Sequence, residues 1–384
     1  MSTHTDTLLD TARSATGLDH FGDAAFREGL DVYVSSLDDE AQLNEIGRAA
    51  LDAQIVTNLT NRLRVTDWIA QHPDVGTERI ERPLFVLGLP RTGTTLLSYL
   101  LDQDPATRSL MRWEAQDSIP PPERATFTTD ARIAATRESQ TMLDTLNPGF
   151  KAVHYEAPDG PTECVAVFAQ DFKSVLWETV ANVPSYGKWL RDCDYTSAYA
   201  YHRRVLQVLQ SRAPGRWSLK SPGHCLGLDA LVATYPDACF VVTHRDPVAV
   251  VASTCSLVRS LSGTFSDADH GEYIATHWPD VLEQIVTRVD AFRRVNGDAR
   301  FFDVAYGDLV GDPVGVVRAI HRHFGDDLSD DAAAAMARYA SENRKGKHGT
   351  HAYRLDDLGL DRAALERRFA WYRERHDIPR ESVA

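Results

Sequence analysis

Residues 84–101, LFVLGLPRTGTTLLSYLL, carry the most specific chemical pattern in this 384-residue sequence. Gly88 and Gly93 bracket a turn between an apolar run and an apolar-faced segment, which is the G-x-x-x-x-G spacing of phosphate-binding loops. The N–H groups at a helix start, the helix dipole and the hydroxyls of Thr94 and Thr95 all favour phosphate or sulfate oxygens. The pattern predicts an anion-binding loop; an ordinary strand–turn–helix is the plainer alternative.

The loop lacks the lysine that nucleotide triphosphatases carry after the second glycine, and Thr94 stands there instead. In those enzymes the lysine reaches the β- and γ-phosphates, and the next Ser or Thr holds Mg²⁺. The cation of this loop is Arg91, which precedes Gly93 and is placed to form a fork onto a terminal oxyanion group. This arrangement favours an anion other than a magnesium-bound triphosphate.

Two more cations follow strand-like runs. Lys220 ends RWSLK (216–220), and Arg245 follows ACFVVTH (238–244) and precedes the turn at Asp246. An arginine at a strand end beside a helix start is a good phosphate fork, whereas a surface Arg–Asp pair is the structural alternative. If these strands are parallel, both cations lie at the same sheet edge as Arg91.

The elements that position these residues indicate an α/β fold. Strands are predicted at 84–88, 216–220, 238–244 and 300–306, with helical stretches between them, which is typical of a parallel sheet covered by helices. Residues 20–80 have helical spacing, and 1–80 is expected to be an N-terminal helical extension packing on the core. The remainder, 81–384, is expected to form one domain in which helices at about 115–200 cap the carboxyl edge of the sheet.

Several segments resemble sulfotransferases that use 3′-phosphoadenosine 5′-phosphosulfate (PAPS), and in particular the bacterial group called sulfotransferase family 3. GLPRTGTT is similar to the family's 5′-phosphosulfate loop, and VVTHRDPVAVVAS (241–253) is similar to its 3′-phosphate motif. The other matching segments are RWSLKSPGH (216–224), MRWEA (111–115), HYEAPDGPTEC (154–164), ENRKGKHG (342–349) and HAYRLDDLGL (351–360). One departure is the Gly-Pro pair in EAPDGPTEC, where the relatives read closer to E-A-P-x-E-C.

The resemblance implies a P-loop-like three-layer fold and a metal-independent transfer of a sulfuryl group from PAPS to a hydroxyl or amine, releasing the desulfated nucleotide PAP. It also implies donor-binding residues: Arg91, Thr92, Gly93, Thr94 and Thr95 at the 5′-phosphosulfate, and Arg245, Ser253, Arg344, Lys345 and Gly346 at the 3′-phosphate. No resident metal is expected.

The transfer needs cations for the leaving phosphate and a base for the acceptor's proton. Arg91 and Lys220 suit the cationic role. Glu114 is the predicted base, because SLMRWEA reads as the next strand-like segment and a glutamate shortly after the loop helix serves in the protein-tyrosine branch; a structural carboxylate is the alternative. His154 is the second candidate, since imidazole accepts a proton readily near neutral pH.

The roles of two further carboxylates remain open, and one further histidine is expected to be structural. Glu156 and Glu163 are further base candidates, with substrate positioning or a salt bridge as an equal alternative. His224 is expected to be structural. Aromatic side chains between 127 and 189 suit a lipid, phenolic, sterol-like or peptidyl hydroxyl acceptor, but a core role explains them as well.

Composition restricts the partners. The net charge of −14 argues against nucleic acid as a partner. Five scattered cysteines without a C-x-x-C pair fit a reducing cytoplasm and no zinc site, and neither a signal peptide nor a run of roughly 18 apolar residues is present. The acidic surface and N-terminal helices permit a homodimer. The competing functions are an ATP-dependent phosphotransferase with an atypical loop, and a non-catalytic PAP-binding protein.

Overall fold

A five-stranded parallel sheet forms the centre of the protein in a computed structural model that describes residues 3–343 and 354–382. Its strands are β1 (Leu84–Gly88), β2 (Thr107–Ser109), β3 (Arg216–Lys220), β4 (Cys239–His244) and β5 (Phe301–Ala305). The strand order is β2-β3-β1-β4-β5, with every pair parallel. The sheet is therefore of the α/β class, as the sequence predicts.

Helices make up most of the remaining regular structure in the described chain. They are α1 (Thr3–Thr16), α2 (Phe26–Asp39), α3 (Glu45–Gln71), α4 (Thr94–Leu101), α5 (Arg112–Gln116), α6 (Arg132–Leu146), α7 (Phe150–Val153), α8 (Val165–Phe168), α9 (Leu176–Val180), α10 (Pro184–Asp192), α11 (Thr196–Gln210), α12 (Leu228–Thr234), α13 (Pro247–Phe265), α14 (Gly271–Asn296), α15 (Tyr306–Gly311), α16 (Pro313–Phe324), α17 (Asp330–Glu342), α18 (Arg362–Arg368) and α19 (Ala370–Arg375). Short 3₁₀ turns cover Val75–Thr77, Arg124–Thr126, Ala169–Asp171, Pro222–Leu226 and Asp356–Leu358.

Alternating side chains of the buried strands feed two cores on opposite faces of the sheet. Leu84 and Val86 of β1 pack with α4, α16 and α17 on one face. Phe85 and Leu87 face the other way, into the larger core that α11, α13, α14 and the N-terminal helices share. Both faces are covered, which explains why β1 is apolar throughout.

The strand order reverses at β1. The chain leaves β1 through α4 to the β2–β3 side and later crosses to β4 and β5 on the other side. Open parallel sheets bind ligands at the carboxyl edge of such a switch point. The loop after β1 thus lies between the ends of β3 and β4, where Lys220 and Arg245 are found.

All four predicted strands form, and a fifth strand, β2, ends at Ser109, the first residue of the segment SLMRWEA that the sequence predicts to be strand-like. β2 is only three residues long, and its sequence Thr-Arg-Ser has neither an apolar run nor a clear alternation, so nothing marks it as a strand. The expectation that MRWEA belongs to a strand-like segment is wrong, because Arg112–Gln116 is helix α5.

The N-terminal helices pack mainly on other helices. α1 lies along α3, α2 contacts α10, and α3 contacts α11 and α13. By length and composition, α13 is the one helix in the described part of the chain that could cross a membrane, yet 61% of its apolar window is buried inside the fold. It is a core helix, and it carries Ser253 next to the sheet edge.

Candidate active site

The loop after β1 turns into α4 at Gly93, the residue that caps the helix. Gly93 has φ 91°, a left-handed conformation that an L side chain rarely adopts. A Cβ atom there would lie 3.0 Å from Leu309 Cδ2 and 3.1 Å from Tyr306 Cδ2. Glycine is therefore required both for the turn and for the close approach of α15.

Arg91 also has a left-handed backbone, with φ 65°. Such strain in a non-glycine residue persists only where neighbours impose it, and it clusters at ligand sites. Here Arg245 Nη1 donates to the Arg91 carbonyl oxygen at 2.8 Å, and Arg91 Nε donates to Ser253 Oγ at 3.1 Å. The structure thus brings together the loop cation and two of the five predicted 3′-phosphate residues, Arg245 and Ser253.

Arg245 is held on several sides. Its Nε and Nη2 atoms each donate to the Glu381 carboxylate at 2.7 Å, and its guanidinium lies 4.4 Å from the centre of the Tyr306 ring. The backbone N–H of Glu381 donates to Asp246 Oδ2 at 2.7 Å. The segment that follows α19 is therefore fastened to the Arg-Asp turn that opens α13.

The three loop threonines have different surroundings. Thr92 is fully buried; its hydroxyl donates to the Leu89 carbonyl at 2.7 Å and lies 2.5 Å from the Thr243 hydroxyl, so it stabilises the loop itself. Thr94 and Thr95 begin α4. The Thr95 hydroxyl accepts a hydrogen bond from Lys220 at 3.3 Å, which joins the loop to the end of β3.

Lys220 lies between two carboxylates. Its Nζ atom is 3.2 Å from Glu163 Oε1 and 3.5 Å from Glu156 Oε1, and its side chain is 1% exposed. Burial alone would lower the pKa of Lys220, but the charges of Glu163 and Glu156 outweigh it, and the pKa lies above the ordinary lysine value. Burial would likewise raise the pKa of Glu156, yet the nearby charge of Lys220 keeps it well below its ordinary value. Lys220 is therefore an ammonium ion between carboxylates at neutral pH.

The acidic loop, residues 154–163, is fastened to the end of β3 and to α4. The Cys164 N–H, which follows it, donates to the Lys220 carbonyl at 2.9 Å, and Thr162 Oγ1 donates to Glu156 Oε2 at 2.9 Å. Gly160 packs against Tyr99: a Cβ atom at this position would clash with the Tyr99 hydroxyl. The inserted Gly-Pro pair thus fits a tight passage, and both Glu156 and Glu163 still reach Lys220.

His154 lies at the open side of this cluster. Its side chain is 30% exposed, and Nε2 is 3.7 Å from Glu156 Oε1. The imidazole is therefore next to the carboxylate that also contacts Lys220.

Glu114 lies in a different environment from the one its sequence position suggests. Its carboxylate is completely buried, and its two oxygens accept from Arg108 Nη1 at 2.7 Å and Arg108 Nη2 at 2.6 Å. One oxygen also accepts the Met111 N–H at 2.8 Å, which caps the start of α5. A carboxylate engaged in this way stabilises the fold around β2, and the geometry does not support its use as a base.

His224 is structural, as its position after Ser221-Pro222 suggests. It is fully buried among aromatic rings, and its Nδ1 atom lies 2.9 Å from the Tyr199 hydroxyl. Burial lowers the pKa of His224 well below the ordinary histidine value, so the ring is neutral. The predicted residues Arg344, Lys345 and Gly346 lie outside the described residues.

One group of side chains in the described part of the chain has the residue types and spacing of metal ligands: His244, Asp303 and His376. Its geometry suits an ion poorly. The His244 and His376 rings are stacked, 4.0 Å apart at 18°, so one ion cannot lie in both ring planes, and Asp303 is already paired with Arg293 at 2.7 and 2.9 Å.

Comparison with known proteins identifies the family. A model of the sulfotransferase family matches residues 83–330, a span that contains the loop, Lys220, the acidic loop and Arg245. This chain belongs to the sulfotransferase family. It is a sulfotransferase, an enzyme that transfers a sulfuryl group, so the phosphotransferase and non-catalytic alternatives are set aside.

Solved structures give the same assignment along nearly the whole chain. Sulfotransferase STF9 from Mycobacterium avium is 36% identical, with a TM-score of 0.91, covering 98% of this chain and 97% of that one. STF1 from Mycobacterium tuberculosis H37Rv is 37% identical, with a TM-score of 0.85, covering 97% and 99%. The omega-hydroxy-beta-dihydromenaquinone-9 sulfotransferase Stf3 of Mycobacterium bovis is 23% identical over 287 residues, 71% of this sulfotransferase and 70% of the relative.

Two features of the site have no clear sequence signal. The pairing of Arg108 with Glu114 crosses from β2 to α5 at a spacing of six residues, which makes the two residues neighbours in neither a regular helix nor a regular strand. The contact between Arg245 and Glu381 joins positions 136 residues apart. In contrast, a salt bridge is one of the roles that the sequence leaves open for Glu156 and Glu163, and both glutamates contact Lys220.

Proposed function

We propose that this sulfotransferase takes its sulfuryl group from PAPS and transfers it, without a metal ion, to a hydroxyl acceptor. The observation that carries the proposal is the contact of Arg91 with both Arg245 and Ser253, at 2.8 and 3.1 Å. Two anion-binding elements, the loop after β1 and the turn after β4, are thereby adjacent. PAPS carries two anionic groups, a 5′-phosphosulfate and a 3′-phosphate, and so matches such a pair of elements.

In this proposal the loop binds the 5′-phosphosulfate. The backbone N–H groups of Gly93, Thr94 and Thr95 at the start of α4 favour its oxygens, and Arg91 supplies charge. The left-handed turn at Gly93 supports this assignment because it leaves no side chain between the backbone and the ligand. Thr92 contributes through the loop conformation.

The 3′-phosphate is assigned to Arg245 and Ser253. The guanidinium of Arg245 and the Ser253 hydroxyl are donors at the end of β4 and on the facing side of α13. Arg344, Lys345 and Gly346 are proposed to complete this subsite, as the resemblance implies.

Lys220 and Arg91 are proposed to stabilise charge in the transfer. As the acceptor oxygen bonds to sulfur, the bond between sulfur and the bridging oxygen of the phosphosulfate breaks, and negative charge develops on that oxygen. An ammonium ion stabilises this developing negative charge. Lys220 stays charged because the charges of Glu163 and Glu156 outweigh the effect of burial and raise its pKa. The acceptor's proton passes to a base, and PAP leaves.

We assign the base to His154 and no longer to Glu114. Glu114 has both oxygens engaged by Arg108, whereas the imidazole of His154 is partly exposed next to the Lys220 cluster. Glu156 is a weak proton acceptor because its pKa lies well below the ordinary value, and it is proposed to hold the imidazolium once formed. Glu163 is assigned to positioning Lys220.

An apolar alcohol or phenol is the proposed acceptor. The M. bovis relative is a sulfotransferase of a hydroxylated menaquinone, a lipid, which supports this class. The aromatic side chains between 127 and 189 support it less, since five of them are core residues: Phe150, Phe168, Phe172, Trp177 and Tyr186. Tyr155, beside His154, is partly exposed. We also propose that the cap at 115–200 delivers the acceptor and that the enzyme acts in the cytoplasm, consistent with its five free cysteines.

Two measurements test this proposal. PAP should raise the melting temperature more than 5′-AMP does, with EDTA present, and Arg245→Ala should remove most of the difference. Incubation with PAPS and a panel of alcohols, phenols and lipids should give a product heavier by one SO₃ in mass spectrometry. Equal shifts with PAP and 5′-AMP, or a strict need for a divalent ion in the transfer, would contradict it.

A further inference from the structure

The carboxylate of Glu381 has the geometry of a ligand on Arg245. Its two oxygens accept from Nε and Nη2 at 2.7 Å each, a parallel two-bond contact of the kind that arginine makes with carboxylate and with phosphate alike. The side chains are 13% and 31% exposed, so the pair is partly shielded from water. An anion thus already occupies one edge of the guanidinium that we assign to the donor's 3′-phosphate.

A docked segment delivers this carboxylate. Ile378 is buried, Glu381 N–H donates to Asp246 at 2.7 Å, and Arg373 of α19 pairs with Asp246 at 3.1 Å. The backbone of residues 378–381 can therefore stay in place through Ile378 and Asp246 while the Glu381 side chain turns toward solvent, to which it is already partly exposed.

From this geometry we infer that Glu381 competes with the 3′-phosphate of the nucleotide for Arg245 and thereby sets the enzyme's selectivity for 3′-phosphorylated nucleotides. The inference rests on the proposed 3′-phosphate role of Arg245. Two anions on one guanidinium repel each other, so seating the phosphate and seating Glu381 oppose one another. The apparent affinity for a 3′-phosphorylated nucleotide falls by the fraction of molecules in which Glu381 holds the arginine.

A nucleotide without a 3′-phosphate does not meet this competition. It binds through the loop after β1 while Glu381 stays on Arg245. Glu381 therefore weakens binding of PAP and PAPS and leaves the binding of 5′-AMP unaffected. The affinity advantage of a 3′-phosphorylated nucleotide over 5′-AMP becomes smaller as a result. Faster release of the product PAP is the functional consequence, since the carboxylate replaces the departing phosphate.

The test is the dissociation constant of PAP and of 5′-AMP, measured by calorimetry for the full chain and for Glu381→Gln. The amide keeps the shape and removes the charge. We expect PAP to bind about threefold to tenfold more tightly to the variant, with 5′-AMP changed by less than about twofold. The matched control is Glu374→Gln, which removes the same charge from an exposed position on α19, and it should leave the PAP to 5′-AMP ratio unchanged.

Unchanged or weaker PAP binding in Glu381→Gln overturns the competition and assigns Glu381 to orienting Arg245. An equal gain for both nucleotides, or an equal gain in Glu374→Gln, also overturns it, because net charge alone then accounts for the effect. If Glu381→Gln does not fold, Glu381→Ala is held to the same outcomes. Wild-type protein that binds PAP no more tightly than 5′-AMP contradicts the 3′-phosphate site itself, and that result is distinguishable from the failure of the competition alone.

Discussion

Two buried clusters of this sulfotransferase pair a cation with glutamate, and they differ in how completely the charges are satisfied. Arg108 and Glu114 form two parallel hydrogen bonds of 2.6–2.7 Å, and Glu114 also caps a helix. Arg108 is further fixed by the Ala213 carbonyl at 3.1 Å and lies 4.6 Å from the centres of the Phe127 and Trp217 rings. All of these contacts of Arg108 and Glu114 stabilise the fold.

Lys220 is held more loosely. Its ammonium is shared by Glu156 and Glu163 at 3.5 and 3.2 Å, and its third contact is a threonine of the anion-binding loop at 3.3 Å. An ammonium on a flexible stem can exchange such long contacts for a ligand oxygen, whereas the buried Arg108 guanidinium, fixed by short hydrogen bonds to Glu114 and packed against two aromatic rings, cannot. The difference separates a charge pair that builds the protein from one that is available for chemistry.

The largest expected effect is on stability, from Glu114→Gln. Losing the carboxylate leaves Arg108 buried without a countercharge, which should lower the free energy of unfolding by about 3–5 kcal/mol. Chemical denaturation measures the loss. Turnover per folded molecule should stay within about twofold of wild type. If the folded variant instead turns over about a hundredfold more slowly, Glu114 is the base.

The next effect is on catalysis, from Lys220→Met. Methionine keeps the length of the side chain and removes the charge, so kcat should fall by roughly 10²–10³-fold, the range for removing one donor to a developing oxyanion. Kinetics with PAPS and the acceptor found by mass spectrometry measure it. Lys220→Arg is the control and should recover part of the rate. A wild-type kcat in Lys220→Met would show that Lys220 has a structural role and no role in the transfer.

His154→Asn should lower kcat by about 10²-fold, at the low end of the range for loss of a general base. His224→Asn is the contrasting variant: it is expected to lower stability, because that ring is buried and neutral. A wild-type kcat in His154→Asn would remove His154 from the reaction.

The smallest effect is a pH dependence of stability from Glu156. Burial raises its pKa, but the charge of Lys220 outweighs this and the folded-state pKa lies well below the unfolded value of 4.5. The unfolded state therefore binds this proton first as the pH falls, so the stabilisation is complete above about pH 5 and is lost progressively below it. The difference in melting temperature between wild type and Glu156→Gln should become smaller as the pH falls from 6 to 3. A constant difference would contradict the lowered pKa of Glu156.

The sequence predicts the parts of this site that depend on local chemistry. Gly93, Arg91 and Lys220 follow strands, and strand ends of a parallel sheet meet at one edge, so their proximity follows from the pattern. The partner of a charged residue depends on packing between distant segments, and for that reason the pairing of Glu114 with Arg108 and of Glu381 with Arg245 could not be predicted. The strand-like segment predicted at SLMRWEA lies just after β2, because pairing with β3 determines where this strand forms and its three residues carry no strong signal.

The most direct test of the central claim compares Lys220→Met with Glu114→Gln in one experiment: release of PAP from PAPS with an accepted acceptor, in single turnover, normalised to folded protein. The account predicts a loss of roughly 10²–10³-fold for Lys220→Met and a rate within about twofold of wild type for Glu114→Gln. The reverse order, or equal losses in both variants, would contradict it.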